Sequence, residues 1–318
     1  MTIRNHVFTL APRLEDALDD EQVALIDGCP RDWEAWPIPD GPRTVGIDGG
    51  SVKAQGQQGS FEGIAGRSRL ALHRGEEAEA PVSSKCVAFV QPYEAKPTRR
   101  RFAVLQSQGH QGHQQIPFLS EGGATVRDLQ LSLHPQAEHR LDGLPVTMRL
   151  TGMQQTAKSL PETTSDEEMT YEIRAPVSQE LERLKWCLWH GNVDHAFQVR
   201  QSIEGAREGA VATSEDAPAR KLLQAVEEFH PSIENNANFM PNDGARYRNG
   251  ERLSTGFVES TVHQVISKRM GPKPPRQWSQ RGAPLLLQMR PRVWNGAWAA
   301  TCRTGYPGVR SHAQPVAA

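Results

Sequence analysis

Two short apolar runs in this chain close in the same way. Arg43 to Asp48 (RTVGID) runs into Gly49-Gly50, and Ile116 to Ser120 (IPFLS) runs into Glu121-Gly122-Gly123. Apolar runs of this length bounded by turn residues read as buried strands. Each one carries a carboxylate to a strand end, and the glycines beside it leave its approach open to something bulky. A third β-rich run, Cys86 to Val90, and a Gly- and Gln-rich stretch over 53–66 around Phe61 and Ile64 read as further strands. Helical spacing predicts a helix over 12–26, helix-like character over 99–109, and a long helical stretch from about Pro176 to Phe229. Ser254 to Ile266 reads as a helix carrying Glu259. The acidic and Pro- and Thr-rich stretches at 161–176 and 212–218 read as loops. Strands alternating with helices over the first 150 residues indicate an α/β fold. The helical stretch after them reads as an insertion.

Composition narrows the class. Hydrophobic residues make up 37% of the 318 and charged residues 23%, an ordinary balance for a globular chain. No window approaches the ~18 apolar residues of a membrane span, and the first twenty residues lack the apolar region of a signal peptide. Cys29, Cys86, Cys187 and Cys302 are scattered and form no CxxC, so neither a disulfide framework nor a structural zinc site is expected. A reducing, cytoplasmic setting fits. No phosphate-cradling G-x-x-x-x-G-K-[ST] loop occurs, which argues against NTP hydrolysis.

A net charge of −1 taken whole argues against a nucleic-acid binder. Its distribution does not. The last acid is Glu259, and from Ser260 onward nine basic residues meet no acid. That leaves 27 basic against 37 acidic residues, net −10, in the rest. Such asymmetry suits a segment that faces a polyanion. The alternative is a solvated or self-complementary tail. Trp278, Trp294 and Trp298 interleave with the basic residues and could stack on unpaired bases, or be core aromatics.

Carboxylates at strand ends and on a packing helix suit hard divalent cations, which take oxygen ligands. Two such ions could serve phosphoryl chemistry by activating the attacking oxygen and stabilising the leaving one. Asp48, Glu121 and Glu259 form such a triple. Asp128, Asp142 and Glu251 are rival acids: Asp142 could support the others from behind, and Glu251 reads as a surface charge. His110 and His113 give HxxH, read as a solvated loop, and Trp186, Trp189 and His190 read as a packed helix face.

The motifs GIDGG (46–50), LSEGG (119–123) and FVES (257–260), with flanking stretches such as IDGCPRDWEAWPIPDGPRTVGIDGGSV (26–52) and RYRNGERLSTGFVESTVHQVISKRM (246–270), resemble bacterial insertion-sequence transposases of the Kra group. The matching stretches run in family order over most of residues 12–310. The resemblance implies a DDE-type core with an RNase H-like fold: a mixed sheet flanked by helices, a helical insertion and a basic C-terminal tail. Its domain plan is an N-terminal helix and Pro-rich connector over 1–43, the first part of the core over 44–150, the insertion over 151–240, and the third-acid helix with the basic region over 241–318. It further implies Mg²⁺ or Mn²⁺ held by Asp48, Glu121 and Glu259, DNA cleavage and strand transfer at element ends, and homo-oligomers assembled on DNA near the nucleoid. Phosphate backbones would be gripped by Lys268, Arg269, Lys273, Arg276, Arg281, Arg290 and Arg292.

Departures from the family pattern accompany the match. Glu121 stands where the family has Asp, adding ~1.5 Å of reach. Gly143-Leu144-Pro145 replaces Trp-Phe-His, His263 replaces Asn, and prolines stand at 272, 274, 275, 284 and 291. Pro284 is compatible only with a first helical turn. The N-terminal region is shorter than in longer members. These features imply a truncated or degenerate copy with impaired activity. The alternatives are a catalytically silent DNA-binding remnant and a structure-selective nuclease of the same fold.

Overall fold

The computed structural model describes residues 3–18, 43–56, 59–70, 84–90, 96–110, 114–133, 137–165, 170–211, 217–251, 253–271 and 277–306. Five strands make the central sheet: β1 (Arg43–Lys53), β2 (Ser60–Leu70), β3 (Lys85–Phe89), β4 (Phe118–Ser120) and β5 (His139–Leu141). Their spatial order is β3-β2-β1-β4-β5. The first three form an antiparallel meander, and β4 and β5 run parallel to β1. The fold is therefore α/β with a mixed sheet, covered by helices on both faces.

Alternation along β1 decides what lies on each face. Val45 and Ile47 join Ile64, Val87, Phe89 and Phe118 in a core closed by α2 (Pro97–Gln106) and α3 (Ala124–Leu133). The opposite face of β1 carries Gly46, Asp48, Gly50 and Val52. Val52 packs with Ala65, Ala88, Val262, Val265, Ile266 and Leu287. Those last residues come from α9 (Gly256–Val262), which continues through a π turn (His263–Ser267) into Lys268–Met270, and from α10 (Gly282–Trp294). The helix lies close because β1 is glycine-rich there. A Cβ on Gly46 would sit 2.8 Å from both Phe257 and Val258, and one on Gly50 would sit 3.0 Å from Val262.

The helical region has its own core. Helices α4 (Gly143–Ala157), α5 (Arg174–Trp189), α6 (Val193–Val211) and α7 (Ala217–Glu234) gather Leu150, Met153, Leu181, Leu184, Val199, Leu222 and Phe229. It takes in α4 directly after β5. The expected single helical stretch is three helices, broken first at Gly191, whose φ of +68° the turn requires. The stretch 161–176, expected to be loop, holds a two-stranded hairpin (Thr163–Ser165 with Thr170–Glu172) and the start of α5. Its threonines suit paired strands, a signal outweighed in sequence by the neighbouring acids.

Two other expectations need correction. The helix expected over 12–26 is α1 (Ile3–Asp16), and residues 19–42 lie outside the described residues. The C-terminal region is not a free tail where it is described. α9, α10 and α11 (Trp298–Gly305) are folded, and α1 packs on α10 and α11 through Leu10, Ala11 and Met289. Pro284 falls in the first turn of α10, where its missing N–H costs nothing. Pro291 lies near the end of that helix, buried rather than breaking it.

The glycine stripe yields a stability prediction. Gly46→Ala should lose about 1–3 kcal/mol in urea unfolding, the ordinary range for overpacking. Gly152→Ala, mid-helix with nothing within 4 Å of the added carbon, should be neutral or gain up to ~1 kcal/mol. Equal effects at both positions would contradict the packing described.

Candidate active site

Strand register brings the acids level. β1 pairs β4 with Val45 opposite Phe118 and Gly46 opposite Leu119, so continuing two residues sets Asp48 level with Glu121. β4 pairs β5 with Ser120 opposite Leu141, which sets Glu121 level with Asp142. Three acids thus stand in a row across three neighbouring strands, Glu121 and Asp142 just past the carboxyl ends of β4 and β5. Asp48, expected at a strand end, sits mid-strand instead, because β1 runs on through its glycines and stays paired with β2 as far as Lys53. Glu259, in the first turn of α9, is brought over them by the glycine stripe.

The acids feel one another. Asp48 is pushed up to about 6, first by burial, then by Glu121, Glu259 and Glu62, against a stabilising hydrogen bond from the Gly49 N–H to Oδ1 (2.7 Å). Glu121 is also raised, by partial desolvation and by the charges of Glu259 and Asp142. Glu62 was missed in sequence because it sits mid-strand with no motif around it. Its carboxylate folds onto the bare backbone of Gly49.

Asp142 differs from the others. It is 1% exposed, and its oxygens are occupied. Oδ1 accepts from the Leu144 N–H at 2.8 Å, capping α4. Oδ2 accepts from the Thr255 N–H at 2.8 Å and from the Thr255 hydroxyl. Thr255 is the N-cap of α9, and its hydroxyl also lies 3.1 Å from Glu259 Oε1. One hydroxyl proton serves one acceptor at a time. Asp142 thereby fixes the start of the helix that carries Glu259, while Asp48, Glu121 and Glu259 keep oxygens free of such ties.

The support beneath is polar and ordered. Ser120 Oγ and His139 Nε2 share a buried hydrogen bond of 2.7 Å, and the Gly122 N–H donates to the same hydroxyl at 3.2 Å. Burial pulls His139 down to about 4, so it is neutral at pH 7. Gly122 turns with φ of +93°, and a side chain there would strike Leu141 and Asn236. The glycines beside the acids were expected to leave open approaches. Instead Gly49, Gly50 and Gly122 are packed against neighbours, and Gly123 alone of the four faces open space. Glu251, expected to be a surface charge, bridges Arg140 (2.8 Å) and Arg246 (3.2 Å).

Among the described residues no group of three or more His, Cys, Asp or Glu side chains is arranged to hold a metal ion. The donor chemistry of Asp48, Glu121 and Glu259 fits a hard cation, since all three are carboxylates. The spacing in this structure does not close around one.

The expected DNA-gripping residues divide. Lys268, Arg269 and Arg281 are exposed, with Arg281 over the Phe8 ring. Lys273 and Arg276 lie outside the described residues. Arg290 donates to the carbonyls of Val265 (2.6 Å) and Gln264 within the π turn. Arg292 is partly buried near Arg100, and that burial lowers its pKa. Trp278 is part of the core: its backbone continues the edge of β1 by pairing with Lys53 and Gln55, and its ring packs with the α9 core. Trp294 and Trp298 are about half exposed. His110, expected in a solvated loop, is buried, and His113 lies outside the described residues. No helix among the described residues is long and apolar enough to cross a membrane.

The coupling predicts a pH signature. A carboxyl whose folded pKa is raised binds its proton more tightly when folded, so stability falls as pH rises from about 4 through about 6. His139 runs the other way, losing stability as pH falls from about 6.5 toward 4. The difference between wild type and Asp48→Asn isolates the first effect. In thermal melts without divalent cations, Asp48→Asn should gain roughly 1–2 kcal/mol at pH 7.5, discounted for partial exposure, and little at pH 4. A pH-independent difference would contradict the coupling.

Comparison with protein-family models and with curated proteins returns no match to this chain.

Proposed function

We propose that this chain is a DNA phosphoryl-transfer protein with an RNase H-like core. Its activity would be metal-dependent strand cleavage and strand transfer of the kind implied by the resemblance to Kra-group transposases. The observation that carries the reading is the convergence of Asp48, Glu121 and Glu259: two neighbouring parallel strands whose register sets the first two level, and a helix laid across the sheet above them. The strand order β3-β2-β1-β4-β5, antiparallel then parallel, supports the fold assignment.

Asp48, Glu121 and Glu259 would hold Mg²⁺ or Mn²⁺. A divalent cation there supplies Lewis-acid activation of the attacking oxygen and charge stabilisation of the leaving one. The chain's own residues set the stage. The Gly49 N–H occupies one oxygen of Asp48, leaving the other for the cation. The Ser120–His139 pair holds the turn that presents Glu121. Asp142, through Thr255, holds the start of the Glu259 helix. Exposed Lys268 and Arg269, farther along the same helix, would attract a phosphate backbone. Hydrolysis of a phosphodiester at an element end would free a 3′-OH, and that hydroxyl would attack a target phosphodiester in line.

A second reading, a DNA-binding remnant without catalysis, is favoured by the acids' failure to close on an ion. Strand-cleavage assays with Mn²⁺ on supercoiled plasmid and on element-end duplexes separate the two. The proposed activity gives nicked and joined products that Asp48→Ala removes. Nicks without joined products fit a nuclease instead. DNA binding without cleavage fits the remnant.

Glu121→Asp restores the shorter side chain of the resembling family. Because a ~1 Å displacement can cost about 10²-fold, it should raise cleavage by tenfold or more. Thr255→Val breaks the link between Asp142 and Glu259 and should lower kcat at least tenfold while leaving DNA affinity unchanged. An unchanged kcat in Thr255→Val would show that the clamp has no part in the chemistry.

A further inference from the structure

A cavity of about 560 Å³ opens at the Asp142 end of the acid row, on the side of the helical core. Leu141 and Gly143, which flank Asp142 in sequence, are part of its lining. Its walls are aromatic. Trp186 stacks on His190 with ring centres 6.2 Å apart and planes 25° apart, and Trp189 meets Tyr247 at 6.2 Å. Trp186 is 49% exposed and Tyr247 47%, unusual for rings that border a cavity they could have filled.

Gly244 lets the backbone lie against two of these wall residues. A Cβ there would come within 2.6 Å of His190 Nδ1 and 2.9 Å of Trp189 Nε1, so these two ring nitrogens lie against bare backbone at the cavity wall. Asp243 Oδ2 lies 2.7 Å from where a side chain on Gly143 would begin. Flat apolar walls with a few polar edge groups describe a seat for one heteroaromatic ring. Two cations stand at the rim. Lys185 Nζ lies 5.3 Å above the Trp186 ring and pairs with Glu182, and Arg248 is exposed at the end of α8 (Asp243–Arg248).

We propose that this cavity seats a single unpaired nucleotide of the strand held at the carboxylates. The base would stack on Trp186, and the phosphate would face Arg248. The inference rests on the DNA reading above and adds a subsite to it. Aromatic walls with a rim of positive charge match a base and its phosphate, and the cavity volume lies within the ~300–1,000 Å³ of small-ligand sites. A base already paired in a duplex presents no free face to such a wall.

The test uses the full chain in Ca²⁺ with DNA duplexes, blunt or bearing a short single-stranded overhang that carries 2-aminopurine. Wild type should quench the 2-aminopurine and bind the overhang roughly tenfold more tightly than blunt duplex. Trp186→Ala and Tyr247→Ala, both at half-exposed positions, should abolish the quench and bring overhang affinity down to that of blunt duplex, with blunt affinity unchanged. Thr147→Phe, which puts bulk into the cavity from an exposed lining position while keeping every ring, should do the same, with circular dichroism and melting confirming the fold. Equal binding of blunt and overhang DNA by wild type, or an overhang preference that survives all three variants, would overturn the subsite and leave the DNA reading standing. Free 2-aminopurine nucleoside monophosphate binding as tightly as the overhang would also overturn it, as a free-nucleotide site. Failure to bind any DNA would overturn both.

Discussion

The close approach of one helix to one strand holds the candidate site together. α9 can lie on β1 because Gly46 and Gly50 present no side chain to Phe257, Val258 and Val262. Asp48 stands between those glycines, and Glu259 follows Val258 by one residue. Any bulk along the stripe would lift the helix and separate the two acids. The same contact buries Val262, Val265 and Ile266 against the sheet, so the apolar surface that stabilises the fold also brings two repelling charges together. The wide turn at His263–Ser267 lies downstream in that helix and is held by Arg290 from α10. The basic C-terminal region thus contributes to the scaffold as well as to the exposed charge on Lys268 and Arg269.

Burying acids and gathering them costs stability, and the raised pKa of Asp48 records first the burial and then the neighbouring charges. The fold offsets the cost locally. Asp142, the most buried of the row, is fully hydrogen-bonded and serves as the joint between α4 and α9. Buried carboxylates are tolerated when donors satisfy them, and Leu144 and Thr255 provide three. Asp48 receives one backbone donor, and Glu121 reaches solvent. The row therefore grades from a structural acid at β5 to uncommitted acids at β4 and β1. Under the proposed function, the uncommitted end is where a cation would relieve the repulsion.

Much of this was legible in the residues. The two apolar runs ending in acid and Gly-Gly announced β1 and β4, and the helix carrying Glu259 was readable from its apolar spacing. Three things were not. Register, which makes Asp142 level with Glu121, depends on pairing across strands distant in sequence. The reason for the glycines was misread, because a Gly-Gly after an acid looks the same whether it opens space or fills a tight contact. Local patterns also hide side-chain commitments: Glu251 reads as a surface charge until Arg140 and Arg246 are folded around it. Trp278 was open between core and ligand, and only its pairing with the end of β1 decides for the core. Trp186, Trp189 and His190 do sit on a helix with a packed face, yet α4 and α8 leave a cavity before them that no periodicity encodes.

Under the proposed function, Asp48, Glu121 and Glu259 act as one unit whose repulsion a divalent cation would relieve. Calorimetric titration of the full chain with Mn²⁺ at pH 7.5 tests it most directly. The account predicts saturable binding that raises the melting temperature, and that Asp48→Asn and Glu259→Gln each abolish, while Glu251→Gln leaves it intact. No saturable binding, or binding that persists in both Asp48→Asn and Glu259→Gln, would contradict it.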